Sequence, residues 1–213
     1  MAAIRLLGVL VALALFAAAT PASAMQFNLI AGPDDQTTLL AKGMILPGDF
    51  SQLIGFLDTV PKAARMALLV VDSPGGVVHE AGKMAVTIHN MGLPVAVARG
   101  GLCASACTLL FAAAPRRLVG EGARIGVHRA SFFGQENRDS RDATDGMAVH
   151  FENYGVPNSI IEKVRATPPN GIAWLNESDL LAMHATIYGL RDGARVAAET
   201  GRTSGQYPTA NRR

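Results

Sequence analysis

The segment Gly101-Leu-Cys-Ala-Ser-Ala-Cys-Thr-Leu-Leu110 places one serine among small residues at the start of an apolar run. A serine hydroxyl is a weak nucleophile near neutral pH. It needs a base within hydrogen-bond reach and backbone N–H groups aimed at the oxyanion that develops during attack. The neighbouring sequence offers candidates for both, so we predict that Ser105 is a nucleophile.

Two glycines before this serine and the residue directly after it supply candidate N–H donors. Asp72-Ser-Pro-Gly-Gly76 ends a strand-like apolar run, and its glycines let the backbone approach a bound carbonyl group closely. Ala106 is predicted to begin a helix that extends to Ala114, and the unpaired N–H groups at a helix start favour negative charge. We predict that the N–H groups of Gly76 and Ala106 form an oxyanion hole.

His128 is the strongest candidate for the base. It ends the segment Ala123-Arg-Ile-Gly-Val-His128, a predicted strand that would hold the imidazole on a rigid element. His79 follows the glycines closely enough to face the same cleft, but a position on the protein surface is favoured. No metal or cofactor is predicted, because metal-ligand spacing is absent from the other histidines, which are His79, His89, His150 and His184.

Together these residues resemble the caseinolytic protease/crotonase superfamily, especially the Clp protease proteolytic subunit and its exported bacterial relatives. The resemblance extends from about Thr38 to Leu190 and rests on the Ser-Pro-Gly-Gly loop, the Ala-Ser-small elbow and the later histidine. It implies an oligomeric serine hydrolase, expected to be a peptidase acting on peptide or peptide-like substrates. It also implies an acyl-enzyme on Ser105, with His128 as general base and the Gly76 and Ala106 N–H groups as the oxyanion hole.

The third catalytic residue of that family has no counterpart here. Aligning the family's aromatic-Leu pair with Trp174-Leu175 puts Ile172 where an aspartate is expected. Isoleucine cannot orient an imidazole, and removing the orienting carboxylate from serine triads lowers turnover about 10⁴-fold. Five residues are candidate replacements, although the last two lie in a segment that more plausibly caps a helix: Asp145, Glu152, Asn170, Glu177 and Asp179.

Three alternatives to this interpretation stay open. A catalytically impaired member would keep the cleft as a binding or assembly protein, and Ile172 favours it. Acyl-thioester chemistry of the crotonase type uses the same oxyanion geometry, but it needs no nucleophilic serine, and coenzyme A is not expected outside the cytoplasm. Signal peptide peptidases of the same fold use a lysine base; Lys163 could supply one, but it is more typical of a surface position on an amphipathic helix.

Residues 1–24 have the pattern of a secretory signal peptide. Arg5 precedes an apolar stretch over residues 6–19, and Ala22-Ser-Ala24 is a small-x-small cleavage site. A retained anchor is less favoured, because a membrane span needs about 20 apolar residues. We expect the mature chain to begin at Met25 and to be periplasmic or secreted, with no ATP-dependent unfoldase as partner.

Export bears on the only two cysteines, Cys103 and Cys107, which flank Ser105 symmetrically. In an oxidising compartment an even pair of cysteines usually forms a disulfide. The alternative is two small buried thiols, because a bridge across so few positions requires unusual backbone geometry. Both interpretations stay open at the level of sequence.

Strands that alternate with helices predict an α/β fold with a mostly parallel sheet. The family resemblance implies a spiral core of β–β–α units and a helical C-terminal part. We predict one domain over residues 25–190 and a disordered polar tail over 191–213. A net charge of +2 without a basic stripe predicts no nucleic-acid partner. The predicted strands are 37–45, 67–72, 94–98, 117–119 and 124–128; the predicted helices are 49–60, 77–91, 106–114, one ending at 154, 158–166 and 177–188, with an exposed loop over 135–145.

Overall fold

The computed structural model describes residues 24–60 and 65–188 of the 213-residue chain. The predicted signal peptide, except its last residue, and the predicted polar tail lie outside these ranges. None of the helices within them combines the length and apolar character that crossing a membrane requires.

Strands of two sheets and six helices make up the described part of the chain. The strands are β1 (Gln26–Ala31), β2 (Gln36–Lys42), β3 (Arg65–Asp72), β4 (Val95–Val97), β5 (Leu102–Ala104), β6 (Arg117–Gly120), β7 (Arg124–Val127), β8 (Ala173–Trp174) and β9 (Ala185–Tyr188). The helices are α1 (Asp49–Thr59), α2 (Val78–Met91), α3 (Cys107–Ala113), α4 (Arg138–Asn153), α5 (Asn158–Ala166) and α6 (Glu177–Ala182).

The main sheet has the strand order β1-β2-β3-β4-β6-β9, and only the β1–β2 pair is antiparallel. A smaller sheet has the order β5-β7-β8, and a bridge between Ser73 and Cys103 links its first strand to the end of β3. The predicted α/β class with a mostly parallel sheet is therefore confirmed. The strands missed from the sequence are β1, β5, β8 and β9.

The core lies between the main sheet and the helices that cover it. Leu69, Val71, Val95 and Val97 are at most 1% exposed, as apolar strands of a covered parallel sheet should be. All seven residues of α3 are buried. Because this mainly apolar helix is buried on every side, it packs into the centre of the domain and fixes the position of the turn before it.

The polar run from Gln135 to Asp145 is exposed over much of its length but is not the loop that we predicted, because α4 begins within it. The Asn137 side chain accepts the Ser140 N–H, and the Ser140 hydroxyl accepts the Asn137 N–H, which forms a capping box. Ser140, Thr144 and Met147 are buried at helical spacing. The helical spacing of these buried residues and the capping box are the sequence signals of a helix, which the polar composition of the segment hid.

The last predicted helix, 177–188, is wrong over its second half. Helix α6 ends at Ala182, and β9 then joins the main sheet beside β6. His184 has a φ of 57°, in the left-handed region, which interrupts the helix. The β-branched and aromatic residues that follow favour extended backbone.

A partly buried cation, the guanidinium of Arg117, joins the ends of three helices. The Arg117 Nη1 donates to the Met183 carbonyl oxygen over 2.6 Å, and Nη2 donates to that of Tyr154 over 2.9 Å. The Nε donates to the Ala112 carbonyl oxygen over 3.1 Å. These oxygens lie at the C-terminal ends of α6, α4 and α3, where helices lack internal donors and where a cation complements the helix dipole.

Candidate active site

Ser105 lies in a sharp turn between β5 and α3. Its φ is 56°, in the left-handed region that residues other than glycine rarely adopt. Its N–H donates to the Gly126 carbonyl oxygen over 2.9 Å, which holds the turn against β7. A strained strand-to-helix turn of this kind projects a serine hydroxyl away from the backbone, as in nucleophile elbows.

The glycine loop after β3 packs directly against this turn. A β-carbon on Gly75 would lie 2.7 Å from the Ser105 Cβ and 2.6 Å from the Ala104 carbonyl oxygen. Gly75 and Gly76 have φ values of 99° and 144°, which favour glycine, and a β-carbon on Gly76 would collide with the backbone of Ile45. The loop is therefore restricted to glycine by both conformation and contact.

The N–H groups of Gly76 and Ala106 donate to no acceptor among residues 24–60 and 65–188. Ala106 is fully buried, and a buried N–H group without a partner is rare in folded proteins. Its nitrogen lies 3.0 Å from the position of a β-carbon on Gly75, so the second donor adjoins the glycine loop. Two unpaired donors beside a candidate nucleophile are suited to bind an oxyanion.

His128 directly follows β7, which ends at Val127. The predicted strand included His128, so the observed strand is one residue shorter at this end. Its Nδ1 is buried and has no hydrogen-bond partner in the described part of the chain. Removal from water lowers the pKa of the imidazole below its ordinary value of 6.5, although a backbone interaction with Arg129 opposes this shift. The ring is therefore neutral near pH 7, which a general base requires.

The structure brings Ser105 and His128 onto adjoining elements without a hydrogen bond between their side chains in the described residues. The turn of the serine is bonded to Gly126, two positions before the histidine. Catalytic hydrogen bonds are often long in free enzymes and tighten when substrate binds. The arrangement is thus compatible with proton transfer between the two residues.

Ile172 lies beside the strand that leads to His128. Strand β8 pairs antiparallel with β7 through Gly126–Trp174 and Val127–Ala173, so the next pair in this register would be His128 and Ile172. The Ile172 Cγ2 lies 2.5 Å from the position of a β-carbon on Gly126. A hydrocarbon side chain at this position offers no hydrogen-bond acceptor to the imidazole.

Four of the five candidate replacements for the acid are directed elsewhere or exposed to solvent. Asp145 and Glu152 approach the Arg165 guanidinium to 3.9 and 4.0 Å. Asn170 and Glu177 are exposed, and neither is hydrogen bonded to His128. These side chains supply no orienting acceptor to the imidazole.

The fifth candidate, Asp179, is bound to Lys163. The Lys163 Nζ donates to the Asp179 Oδ1 over 2.6 Å, and Asp179 also forms the capping box of α6 with Asn176. The cap predicted from the sequence is confirmed. Because Lys163 is held by a carboxylate at the surface of α5, it is not placed as a base for Ser105.

The sulfur atoms of Cys103 and Cys107 are bonded to each other, with the Cα atoms 5.3 Å apart. This spacing is available because Cys103 lies in β5 and only Cys107 belongs to α3. Both residues are buried. The structure therefore pairs the two cysteines, and the bridge closes over the turn that carries Ser105.

A cavity of about 500 Å³ adjoins Gly76 and has a mainly apolar lining that includes Val78 and Phe132. His79 is exposed and also lines this cavity, so its surface position is part of the cleft. Phe132 and Phe133, which are 61% and 92% exposed at the cavity, are functional candidates that were not predicted from the sequence. Two adjacent phenylalanines in a polar segment are the signal that could have identified them. No cluster of three or more potential metal ligands occurs within the described ranges.

Comparisons with known proteins identify the family and the fold. A family model described as Clp protease matches residues 49–192. ClpP1 from Listeria monocytogenes has 19% sequence identity and a TM-score of 0.55, with 73% of this chain and 93% of that chain covered. A mutant of 1510-N, a membrane-bound stomatin-specific protease, has 18% identity and a TM-score of 0.55, with 81% and 90% covered.

The fold is also similar to that of enzymes with a different chemistry. An enoyl-CoA hydratase from Bacillus halodurans has 10% sequence identity and a TM-score of 0.52, with 87% of this chain and 82% of that chain covered. At such identities the likeness to solved structures concerns the fold alone. No curated protein matches the chain.

Proposed function

Because the chain belongs to the Clp protease family, we propose that it is an exported, ATP-independent serine peptidase that acts through an acyl-enzyme on Ser105. One observation carries the proposal: the left-handed turn sets Ser105 beside two N–H groups, those of Gly76 and Ala106, that have no acceptor in the described residues. The Ala106 N–H is buried, where an unpaired donor is costly, and Gly76 is exposed at the cavity. A tetrahedral oxyanion would bind both.

In the first half of the reaction, the Ser105 Oγ attacks the carbonyl carbon of the scissile peptide bond. Its proton passes to the Nε2 of His128, the ring nitrogen that is left for this role because Nδ1 is buried. The carbonyl oxygen takes the electron pair and accepts hydrogen bonds from Gly76 and Ala106. When the C–N bond breaks, the amine leaves with the proton from His128.

The second half of the reaction regenerates the enzyme. Water attacks the ester carbonyl of the acylated Ser105 and gives its proton to His128. The tetrahedral intermediate collapses, the C–O bond to the serine breaks, and the serine oxygen recovers the proton. The products are a free acid and the unmodified hydroxyl group of Ser105.

A binding or assembly protein with impaired catalysis is the second candidate. The observation that favours it is the unpaired, buried Nδ1 of His128 with Ile172 beside the same strand. Without an acceptor at Nδ1, no carboxylate fixes the ring tautomer or stabilises the imidazolium formed in the first step. Both candidates use the same cleft and differ in whether Ser105 reacts.

Export and assembly belong to the proposal as well. The pattern of residues 1–24 supports secretion. The buried bridge between Cys103 and Cys107 supports an oxidising compartment such as the periplasm, where no ATP would drive an unfoldase partner. Family membership supports a homo-oligomer that takes peptide substrates.

Labelling with a fluorophosphonate probe tests the reaction at Ser105. We expect the mature, oxidised protein to be modified at Ser105, as located by peptide mass mapping, and the label to disappear in Ser105→Ala and His128→Ala. Circular dichroism checks that both variants are folded. A folded wild-type protein that takes no label would overturn the peptidase and leave the binding protein as the better candidate.

A further inference from the structure

A second cavity, of about 600 Å³, opens beside the cavity at Gly76. Val78, His79 and Ala143 line both cavities, so the two adjoin each other. Of the two, only the cavity of about 500 Å³ reaches the glycine loop. A ligand that extends from the first cavity into the second would therefore have one end at the proposed reaction centre.

The second cavity runs along the facing sides of α2 and α4. Helix α2 contributes Val78, Gly82 and Val86, and α4 contributes Ala143, Gly146 and His150, in each case at the spacing of one helix face. From the first to the last of these α2 residues the helix rises about 12 Å. An extended peptide covers that length with about three to four residues.

The lining of the second cavity suits an apolar side chain. No carboxylate is among its lining residues, and Val86 is 41% exposed there. The one lysine, Lys83, is ion-paired with Glu80 and lies 5.1 Å from the centre of the Phe50 ring, so its charge is already neutralised. Burial of a large apolar side chain in such a site contributes about 1.5–3 kcal/mol.

We propose that the second cavity is a remote subsite that binds a bulky apolar side chain of the peptide substrate, on a stretch of about three to four residues beyond the part of the substrate that fills the cavity at Gly76. The inference rests on the proposed function, because it assigns the ligand of the same cleft. The walls shared with the cavity at Gly76 favour a substrate segment over a second copy of the chain as occupant. Energy gained there would favour substrates long enough to reach it.

Two glycines offer a matched pair of variants. A β-carbon on Gly146 meets no atom within 4 Å and points into open space at the cavity, so Gly146→Leu fills the subsite without a clash at its base. Gly55 on α1 is also helical, exposed and without contacts within 4 Å, and it lines neither cavity. Gly55→Leu therefore reproduces the gain in helix propensity without filling the subsite.

Binding is measured by fluorescence anisotropy in the Ser105→Ala background, with labelled peptides in which one phenylalanine is moved along an alanine-serine sequence. We expect about a tenfold gain in affinity at one position of the phenylalanine. The gain should disappear with Gly146→Leu and persist with Gly55→Leu. Since this measurement requires no bond cleavage, it is independent of the labelling result at Ser105.

Three results would overturn the subsite. One is a parent protein without any position-dependent gain, and another is a gain that persists in Gly146→Leu. The third is a change in sedimentation caused by Gly146→Leu and not by Gly55→Leu. That change would identify the cavity as a contact between copies of the chain.

Discussion

The backbone N–H of Ser105 donates to the carbonyl oxygen of Gly126 over 2.9 Å, which ties the candidate nucleophile to the strand that ends before His128. The same strand pairs with β8, and Ile172 packs over Gly126 from that side. The two candidate catalytic residues and the residue at the expected acid position are therefore carried by one small sheet. A change in any of these elements should act on the reaction directly.

An aspartate at position 172 should increase activity. Ile172 is 39% exposed, so Ile172→Asp adds a carboxylate beside the His128 strand without burying an unpaired charge. We expect the rate of labelling at Ser105 to rise at least about tenfold, within the limit of about 10⁴-fold set by carboxylate loss in serine triads. Labelling reactions that are quenched at successive times and analysed by mass spectrometry measure this rate.

Ile172→Asn is the control for this substitution, because it has the same size and polarity without the charge. Asparagine should give a smaller gain than aspartate. Equal rates for wild type, Asn and Asp would mean that position 172 does not reach the imidazole. The orienting group would then have to come from elsewhere in the structure.

The acidic limb of the pH profile should lie below 6.5. Burial lowers the pKa of His128 from its ordinary value of 6.5, so the neutral base persists at mildly acidic pH. The labelling rate should be constant above pH 6.5 and fall as the pH drops through the lowered pKa. Ile172→Asp should move this limb upward, because a nearby carboxylate favours the imidazolium. A wild-type limb at or above 6.5 would contradict the burial of the ring.

The same shift of the His128 pKa affects stability. The unfolded chain binds the proton more readily than the folded chain, since the folded pKa is the lower one. The stability contribution of a neutral His128 is therefore present above pH 6.5 and is lost as the pH falls through the folded pKa. Urea unfolding of wild type and His128→Gln across this range should show a pH dependence that the variant lacks.

Gly75→Ala should both destabilise the fold and abolish labelling. The added methyl group would meet the Ala104 carbonyl oxygen and the Ser105 Cβ, so the turn must shift. We expect a loss of about 1–3 kcal/mol from overpacking beyond the left-handed backbone cost of about 1–2 kcal/mol. Gly48→Ala is the control, because Gly48 has a similar φ of 97° and no atom within 4 Å. Equal losses of stability in the two variants would refute the contact with the turn.

Removal of the disulfide should loosen the turn at Ser105. The bridge spans a sequence separation of 4, and closing so short a loop is worth about 2 kcal/mol in the loop-entropy model. The double variant Cys103→Ala/Cys107→Ala avoids reduction of a buried bond. We expect it to lose about 2 kcal/mol of unfolding free energy and to label more slowly at Ser105. Unchanged labelling would show that α3 and β5 fix the turn without the bridge.

Lys163→Met should leave the chemistry intact. The Lys163 side chain is bound to Asp179 and should contribute a modest ion pair, so we expect a loss of about 1 kcal/mol in stability. The labelling rate at Ser105 should stay at the wild-type level. A loss of labelling comparable to that of His128→Ala would instead identify the lysine as the base.

The sequence allowed the position of the elbow to be predicted, because its signals are local. Small residues around Ser105, two glycines after an apolar strand and a histidine after another strand are each legible along the chain. The structure places all of them at neighbouring ends of strands and helices. Their roles in catalysis remain predictions for the labelling experiment.

Features that depend on pairing between distant segments could not be predicted. The relation of Ile172 to His128 follows from the register of β8 on β7, and β8 itself has only two residues. Strand β9 is stabilised by its neighbour β6, although its sequence taken alone predicts the end of a helix. The second cavity likewise forms only where α2 faces α4, and the sequence of neither helix alone predicts that they face each other.

The guanidinium of Arg117 joins the carboxyl ends of the elbow helix α3, of α4 and of α6. If any one of these ends opens by itself, the partly buried Arg117 guanidinium loses an acceptor. Local opening at each end therefore costs more than the contacts of that helix end alone, which couples the three ends. Amide protons near the elbow and near the start of β9 should then exchange as one cooperative unit, so the reaction centre is held by the integrity of the C-terminal part of the domain.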